Sequence, residues 1–176
     1  NFKQAEAYLD QMEDISGDTS AQLSAFIHLH RGLFDLDRGR YDQALEHYQD
    51  ADQAFSGWWL IQEHIAEIYT LQGRLDEAKL LYQQVVDTTG NPEFMDALAD
   101  IANQKNKPKE AQFWLKQAQT AYEKQLEQFP EASYGHAVNH YLQSAQQPET
   151  ALSLAKANFA LRPSGEAATL LAQAYF

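Results

Sequence analysis

The stretch GRYDQALEHY runs from Gly39 to Tyr48, and GRLDEAKLLY, from Gly73 to Tyr82, repeats it 34 residues later. Gly, Arg, Asp, Ala and Tyr recur in the same places. Two further segments follow the same plan, NKPKEAQFWL (Asn106 to Leu115) and QQPETALSLA (Gln146 to Ala155). Each opens on a turn-former, continues through acidic or polar residues and reaches Ala. The matching alanines are Ala44, Ala78, Ala111 and Ala151, spaced 34, 33 and 40 residues apart. An earlier partial copy, FKQAEAYL, sets Ala5 39 residues before Ala44. Recurrence at a period of this length marks an array of supersecondary units.

The segments between the copies are helical by pattern. WLIQEHIAEIYTLQ places Leu60, Ile61, Ile65, Ile68, Tyr69 and Leu71 close to a 3.6-residue period. LDEAKLLYQQVV does the same with Leu75, Ala78, Leu81, Tyr82, Val85 and Val86. Gly73 lies between them, where a helix must end and the chain reverse. Strand alternation is not sustained anywhere, so each unit reads as helix, tight turn, helix. The 40-residue spacing has a local cause: no breaker falls between Lys109 and Phe129, and Pro130 then stops the helix. That predicts a second helix of roughly 30 Å at 1.5 Å per residue. The polar SGDTSAQ (Ser16 to Gln22) reads as a loop. The phase of the fourth copy predicts one extra residue in its QSAQQPE turn.

A 34-residue period of two antiparallel helices resembles the tetratricopeptide repeat. Counting from Trp59, the chain supplies that family's small, aromatic and turn positions with Ala66, Tyr69, Gly73, Ala78 and Tyr82, and Val85 where Ala is usual. Counting from Ala25 it supplies Gly32, Gly39, Ala44, Tyr48 and Ala51, with Asp35 in place of an aromatic. The third copy, from Pro92, offers Ala99, Ala102, Ala111, Leu115 and Ala118, with KNKPK in its turn instead of Gly. The fourth offers Ala151, Ala155 and Pro163, after a first helix with Tyr134, Ala137, Val138, Tyr141, Leu142 and Ala145 on its apolar face. Small residues at the crossings let two helices approach, and large ones beside them fill the remaining space.

The resemblance implies an all-α, right-handed superhelical solenoid of antiparallel helix pairs. It divides the chain into a partial repeat at 1–20, repeats at about 25–58, 59–91, 92–130 and 131–163, and a partial repeat at 164–176. Residue 1 is Asn, not Met. A solenoid end normally carries a polar capping helix, whereas the last segment is apolar through Ala168, Leu170, Leu171, Ala174, Tyr175 and Phe176. The chain is therefore expected to be part of a longer protein, or to associate with another chain through this C-terminal helix.

Composition narrows the function. The 176 residues carry a net charge of −12, and residues 1–104 hold 6 Lys/Arg against 19 Asp/Glu. Such a surface repels a phosphate backbone, and the short basic KNKPK (Lys105, Lys107, Lys109) does not reverse it, so no nucleic acid is expected. No apolar run reaches membrane-spanning length, so no membrane insertion is expected. Cysteine is absent, which excludes disulfides, thiolate nucleophiles and Cys-ligated metals. Cytoplasm and periplasm both stay open.

Candidate chemistry is sparse. His136 and His140 stand four apart in HAVNH, a spacing that suits two metal ligands. Ala137 occupies the place of the zinc-protease glutamate, and the plainer reading is two polar residues flanking an apolar face. His28 and His30, two apart, point to different sides of a helix. Asp35 and Asp37 in DLD read as solvated turn acids. DTTG (Asp87 to Gly90) reads as a helix end with a capping glycine before Asn91 and Pro92. No phosphate loop or nucleophile elbow is present. The expectation is no enzyme, no cofactor and no metal.

What remains is the groove that the resemblance implies, lined by first-helix residues. It selects Phe26, Leu29, Leu33, Leu36 and Asp37, then Leu60, Glu63, Glu67, Thr70 and Leu71, then Glu93, Asp96, Asp100, Asn103 and Gln104. This surface is apolar at one end and acidic toward the middle. The family's clamp for a C-terminal carboxylate needs Lys, Arg and Asn, so a protein or peptide partner with apolar and basic side chains fits better. Acids that only keep a solenoid soluble are the competing reading. Trp58 and Trp59 are expected to pack between repeats, with a partner-facing Trp as the alternative.

Overall fold

A computed structural model of the chain describes residues 2–16 and 20–176. The described residues form ten α-helices and one π-turn, with no strand among them. The helices are α1 (Phe2–Ser16), α2 (Ala21–Leu36), α3 (Tyr41–Ala54), α4 (Trp59–Leu71), α5 (Leu75–Thr89), α6 (Pro92–Gln104), α7 (Pro108–Gln128), α8 (Pro130–Asn139), α9 (Pro148–Leu161) and α10 (Gly165–Tyr175). The fold is an all-α helical-repeat solenoid. Of the loop expected at Ser16–Gln22, residues 17–19 lie outside the described ones. Ser20 caps α2 by accepting from the Leu23 amide at 3.3 Å, so Ala21 and Gln22 are already helical.

The chain divides into two compact units, Asn1–Thr88 and Thr89–Phe176. In the first, Ala25 and Leu29 of α2, Ala44, Tyr48 and Ala51 of α3, and Ile61, Ile65 and Ile68 of α4 form one buried cluster, with Leu81 of α5 against it. The alanines sit at helix crossings. Ile61 and Ile68 are fully buried, and each contributes about 1.5–3 kcal/mol of apolar transfer energy. Gly32 belongs to the same logic: a Cβ there would lie 2.2 Å from Tyr48 Cε1. The absence of that atom is what lets the tyrosine ring cross α2.

In the second unit α6 packs on α7, α7 on α8, α8 on α9 and α9 on α10. Ala118 and Tyr122 of α7 meet Ala137, Tyr141 and Ala151. Val138, Ala155, Leu170 and Ala174 form the next cluster along. The inner face of α10 is thus used within the unit, while Ala168, Tyr175 and Phe176 stay exposed. Helix α7 has 21 residues, the length its unbroken sequence predicts.

Of the four turns that carry the repeated sequence, three are closed by the same pair of backbone bonds. Arg40 N–H donates to Asp35 O at 2.9 Å and Gly39 N–H to Leu36 O at 2.9 Å. Arg74 with Tyr69 and Gly73 with Thr70 repeat this, as do Lys107 with Ala102 and Asn106 with Asn103. This is the Schellman closure, which puts its penultimate residue in the left-handed region. Gly39 has φ 69° and Gly73 φ 75°, and Asn106 takes φ 54° where the third copy lacks Gly. Asn tolerates that region better than most residues.

The fourth turn differs. Gln146 holds φ 52°, but Gln147 N–H reaches back six residues, to Tyr141 O at 2.7 Å. Ala145 N–H donates to His140 O, five residues back, at 2.8 Å, inside the π-turn His140–Ser144. The extra residue expected in the turn is instead absorbed by the end of the helix as a π-bulge.

Candidate interaction surface

In the first unit the surface is built on α2 and α4. Phe26 is 39% exposed and packs edge-on against His30 at 4.3 Å. Leu33 and Leu36 are half-buried against the core. Leu29 is 2% exposed; the groove reading placed it on the surface, but α2 turns it inward between α3 and α4, and it is a core residue. Trp58 is partly buried against the core and, with Leu23, Phe26 and Phe55, lines a cavity of about 460 Å³. The Trp therefore serves both core and surface.

Glu63 and Glu67 of α4 converge on His64. Its Nε2 lies 3.2 Å from Glu63 Oε1 and its Nδ1 3.4 Å from Glu67 Oε2. The imidazole stacks on Tyr48, centroids 5.2 Å apart and planes at 13°. Tyr48 is fully buried and, among the described residues, its hydroxyl has no hydrogen-bond partner. Burial first, then the charges of Glu67, Glu63, Asp37 and Asp35, push its phenol far above its ordinary range and keep it neutral. Thr70 turns its hydroxyl back to Ala66 O at 2.9 Å, and Leu60 is half-buried. Asp37 is exposed, as a turn acid should be, but Asp35 is not. It is 8% exposed and lies 3.4 Å from Arg40 and 3.6 Å from His47, a buried ion-pair acid in place of the usual aromatic.

The second unit carries a comparable group. Glu93, Asp96 and Asp100 fall three and four residues apart on α6, which puts them on one face. His140, 1% exposed, donates from Nδ1 to both Asp96 oxygens at 2.9 and 3.0 Å. Tyr122 covers that imidazole at 4.8 Å. His136 Nδ1 lies 3.5 Å from Glu93. The two histidines four apart therefore each engage a different carboxylate of α6. His136 does sit as an ordinary polar residue, whereas His140 is a core residue held by a charge.

The electrostatics follow from this pairing. His136 draws the Glu93 carboxyl below its ordinary value, and Glu93 raises the imidazole in return. Asp96 is raised by burial, against the pull of His140. Asp100 is raised by partial loss of water and then by the charge of Asp96. Among the described residues no cation pairs with Asp100. A cavity of about 200 Å³ opens beside these groups, lined by Glu93, Asp96, Asp100, Tyr122, His136 and His140 among others. Asn103 and Gln104 continue the face as exposed polar residues.

His64, Tyr122 and the burial of His140 are what sequence reasoning missed. Tyr48 was legible as a space-filler, but not as a hydroxyl surrounded by acids. His140 falls between Val138 and Tyr141 on the apolar face of its helix, which was the available signal that it is buried.

Antiparallel helix pairs with alanine at their crossings, closed by left-handed turns, define a helical-repeat protein. Residues 35–101 match the tetratricopeptide-repeat family. The fold of the chain is similar to that of BtubC from P. vanneervenii, with a TM-score of 0.56, 15% identity, and 99% of this chain and 81% of that one covered. It is similar also to YrrB, described as a TPR protein with an unusual peptide-binding site, at a TM-score of 0.53, 17% identity, and 94% and 97% covered. MamA gives a TM-score of 0.51 at 16% identity, with 86% and 81% covered. At these identities the likeness is one of fold. No curated protein matches the chain in sequence. Among the described residues no helix is long and apolar enough to cross a membrane.

Proposed function

We propose that the chain is a non-catalytic protein-interaction module that binds an extended or helical segment of a partner protein through the acidic first-helix faces. The partner segment carries Lys or Arg together with apolar side chains. In this reading the array divides into repeats at about 25–58, 59–91, 92–130 and 131–163, with partial repeats at 1–20 and 164–176, and each unit presents its own acidic face, α4 in the first and α6 in the second.

One observation carries the proposal: Asp100 stands at an exposed face beside Asp96 with no cation paired to it among the described residues, and its carboxyl is raised by partial loss of water and then by the charge of Asp96. Like charges this close cost the folded chain stability, and a bound Lys or Arg would offset the cost. The first unit offers contacts of its own, acidic at Glu67 on α4 and apolar at Phe26 with the cavity beside it. The peptide-binding site of YrrB supports the class of ligand.

The test is fluorescence-anisotropy titration of a panel of Leu/Lys/Arg peptides and of the same peptides with Glu at every basic position. The basic set binds and weakens as salt rises through the Debye regime, and the acidic set does not bind. Equal binding of the two sets would remove the proposal.

A second reading rests on α10. Tyr175 and Phe176 are exposed large apolar residues at its end, which favours self-association through this helix within a larger multi-repeat assembly. Sedimentation velocity at rising concentration separates the two readings. A monomer throughout leaves the peptide surface as the function, and a dimer lost on Tyr175→Ser with Phe176→Ser favours self-association.

A further inference from the structure

We propose that His28, His47 and Asp50 form a site for one divalent transition-metal ion of the zinc type, clipping α2 to α3. The three residues come from two packed helices: His28 from α2, and His47 and Asp50 one turn apart on α3. One ligand-capable atom of each lies within 4.8 Å of the other two. His28 Nδ1 is 4.0 Å from Asp50 Oδ2, and the two imidazoles face one another with centroids 6.2 Å apart. A tetrahedral ion at about 2.0–2.1 Å from each ligand holds them roughly 3.4 Å apart, so modest side-chain rotations close the site.

Two features separate this group from a chance cluster. The Nδ1 atoms of His28 and His47 are both shut off from water and have no hydrogen-bond partner among the described residues. Burying a nitrogen unsatisfied is costly, and a metal bond satisfies both at once. On the far side of the His47 ring, Asp35 Oδ2 lies 3.6 Å from Nε2. Its charge favours the proton on Nε2 and leaves the Nδ1 lone pair free. Asp35 is itself held by Arg40 at 3.4 Å. A carboxylate behind a ligating imidazole is the usual way a protein orients a metal-binding histidine.

Two imidazoles and one carboxylate are donors suited to zinc, cobalt or nickel over calcium or magnesium. Three protein ligands leave a fourth position for water. His30, two residues from His28, takes no part because it points to another side of α2 and contacts Phe26. Glu63, His64 and Glu67 are the other group in this unit with metal-like spacing. There, both nitrogens of a single imidazole already face the two carboxylates, so that group serves as the control.

The experiment uses the full chain, free of any affinity tag and stripped with chelator, titrated with Zn²⁺ by calorimetry and with Co²⁺ by visible absorption. The expected result is one ion per chain, tetrahedral Co²⁺ bands and a higher melting temperature with Zn²⁺. His47→Gln and Asp50→Asn each abolish the Co²⁺ bands while circular dichroism stays helical. Asp50 is exposed, so its variant keeps the fold. Asp35→Asn weakens binding by about 10–100-fold, and Glu67→Gln leaves it unchanged. The proposal fails if wild type takes up neither ion, if uptake survives both His47→Gln and Asp50→Asn, or if Glu67→Gln removes it.

Discussion

Gly32 and Gln146 show how single residues set this fold. A Cβ on Gly32 would lie 2.2 Å from Tyr48 Cε1 and 2.4 Å from Cδ1. The ring belongs to the core and has nowhere to move. Gly32→Ala is therefore expected to destabilise the chain by about 1–3 kcal/mol, read as a lower urea midpoint with an unchanged slope. Gln146 is the opposite case. It holds φ 52° with a full side chain, in a place that Gly39 and Gly73 fill in the first two turns. Relief of left-handed strain outweighs the entropy of an added glycine. Gln146→Gly should raise stability by about 0.5–1 kcal/mol, and a lowered thermal midpoint would contradict this account of the turn.

Among the elements, the contact of α6 with the π-turn joins stability to the proposed site. His140 Nδ1–H donates to the Asp96 carboxylate across the contact. Removing it strands a partly buried charge, so His140→Ala costs about 3 kcal/mol. Adding Asp96→Ala to that variant recovers part of the loss, because the stranded charge goes with it. Chemical denaturation of the two single variants and the double variant checks the coupling. Asp100 has no such partner. Its folded pKa lies above the ordinary value of 3.8, so the folded state holds its proton more tightly than the unfolded chain does. Stability from this group therefore falls as pH rises from about 3.9 through the raised value. Asp100→Asn should remove that slope and gain about 0.5 kcal/mol or less at neutral pH, given solvent screening. The same variant should weaken a basic peptide. A variant that is both more stable and equally competent would separate the acid from the function.

How far these elements could be read from sequence depends on where the information lies. Gly39 and Gly73 mark their turns because only a residue without a Cβ takes that backbone cheaply, and Ala44 and Ala78 mark the crossings for a similar reason. Asn106 was legible only by position, since nothing in KNKPK names which residue turns left-handed. The π-bulge at His140–Ser144 was legible as a surplus residue, not as its place: an insertion costs a helix and a loop similar energies, and the buried His140 and Tyr141 decide between them. Asp35 reads as solvated because DLD sits at a turn. Arg40 and His47, five and twelve residues on, are what draw it in. Partners from other helices have no signature at fixed spacing, which is also why His28 found its neighbour in His47 and not in His30.

At the scale of the whole molecule, the repeat was legible and the partner was not. Repetition encodes the scaffold, and a surface that varies from copy to copy encodes recognition. The charge is nevertheless informative in bulk, because 19 acids among residues 1–104 leave few cations to pair with them. The acids gathered on the first helices are proposed to serve a basic partner and not solubility alone. The most direct measurement is titration of one basic–apolar peptide that binds wild type against the chain carrying Glu63→Lys, Glu67→Lys and Asp100→Lys together. The account predicts loss of binding by at least about tenfold, roughly 1.4 kcal/mol, with helicity retained and the salt dependence abolished. Unchanged affinity in a folded triple variant would contradict it.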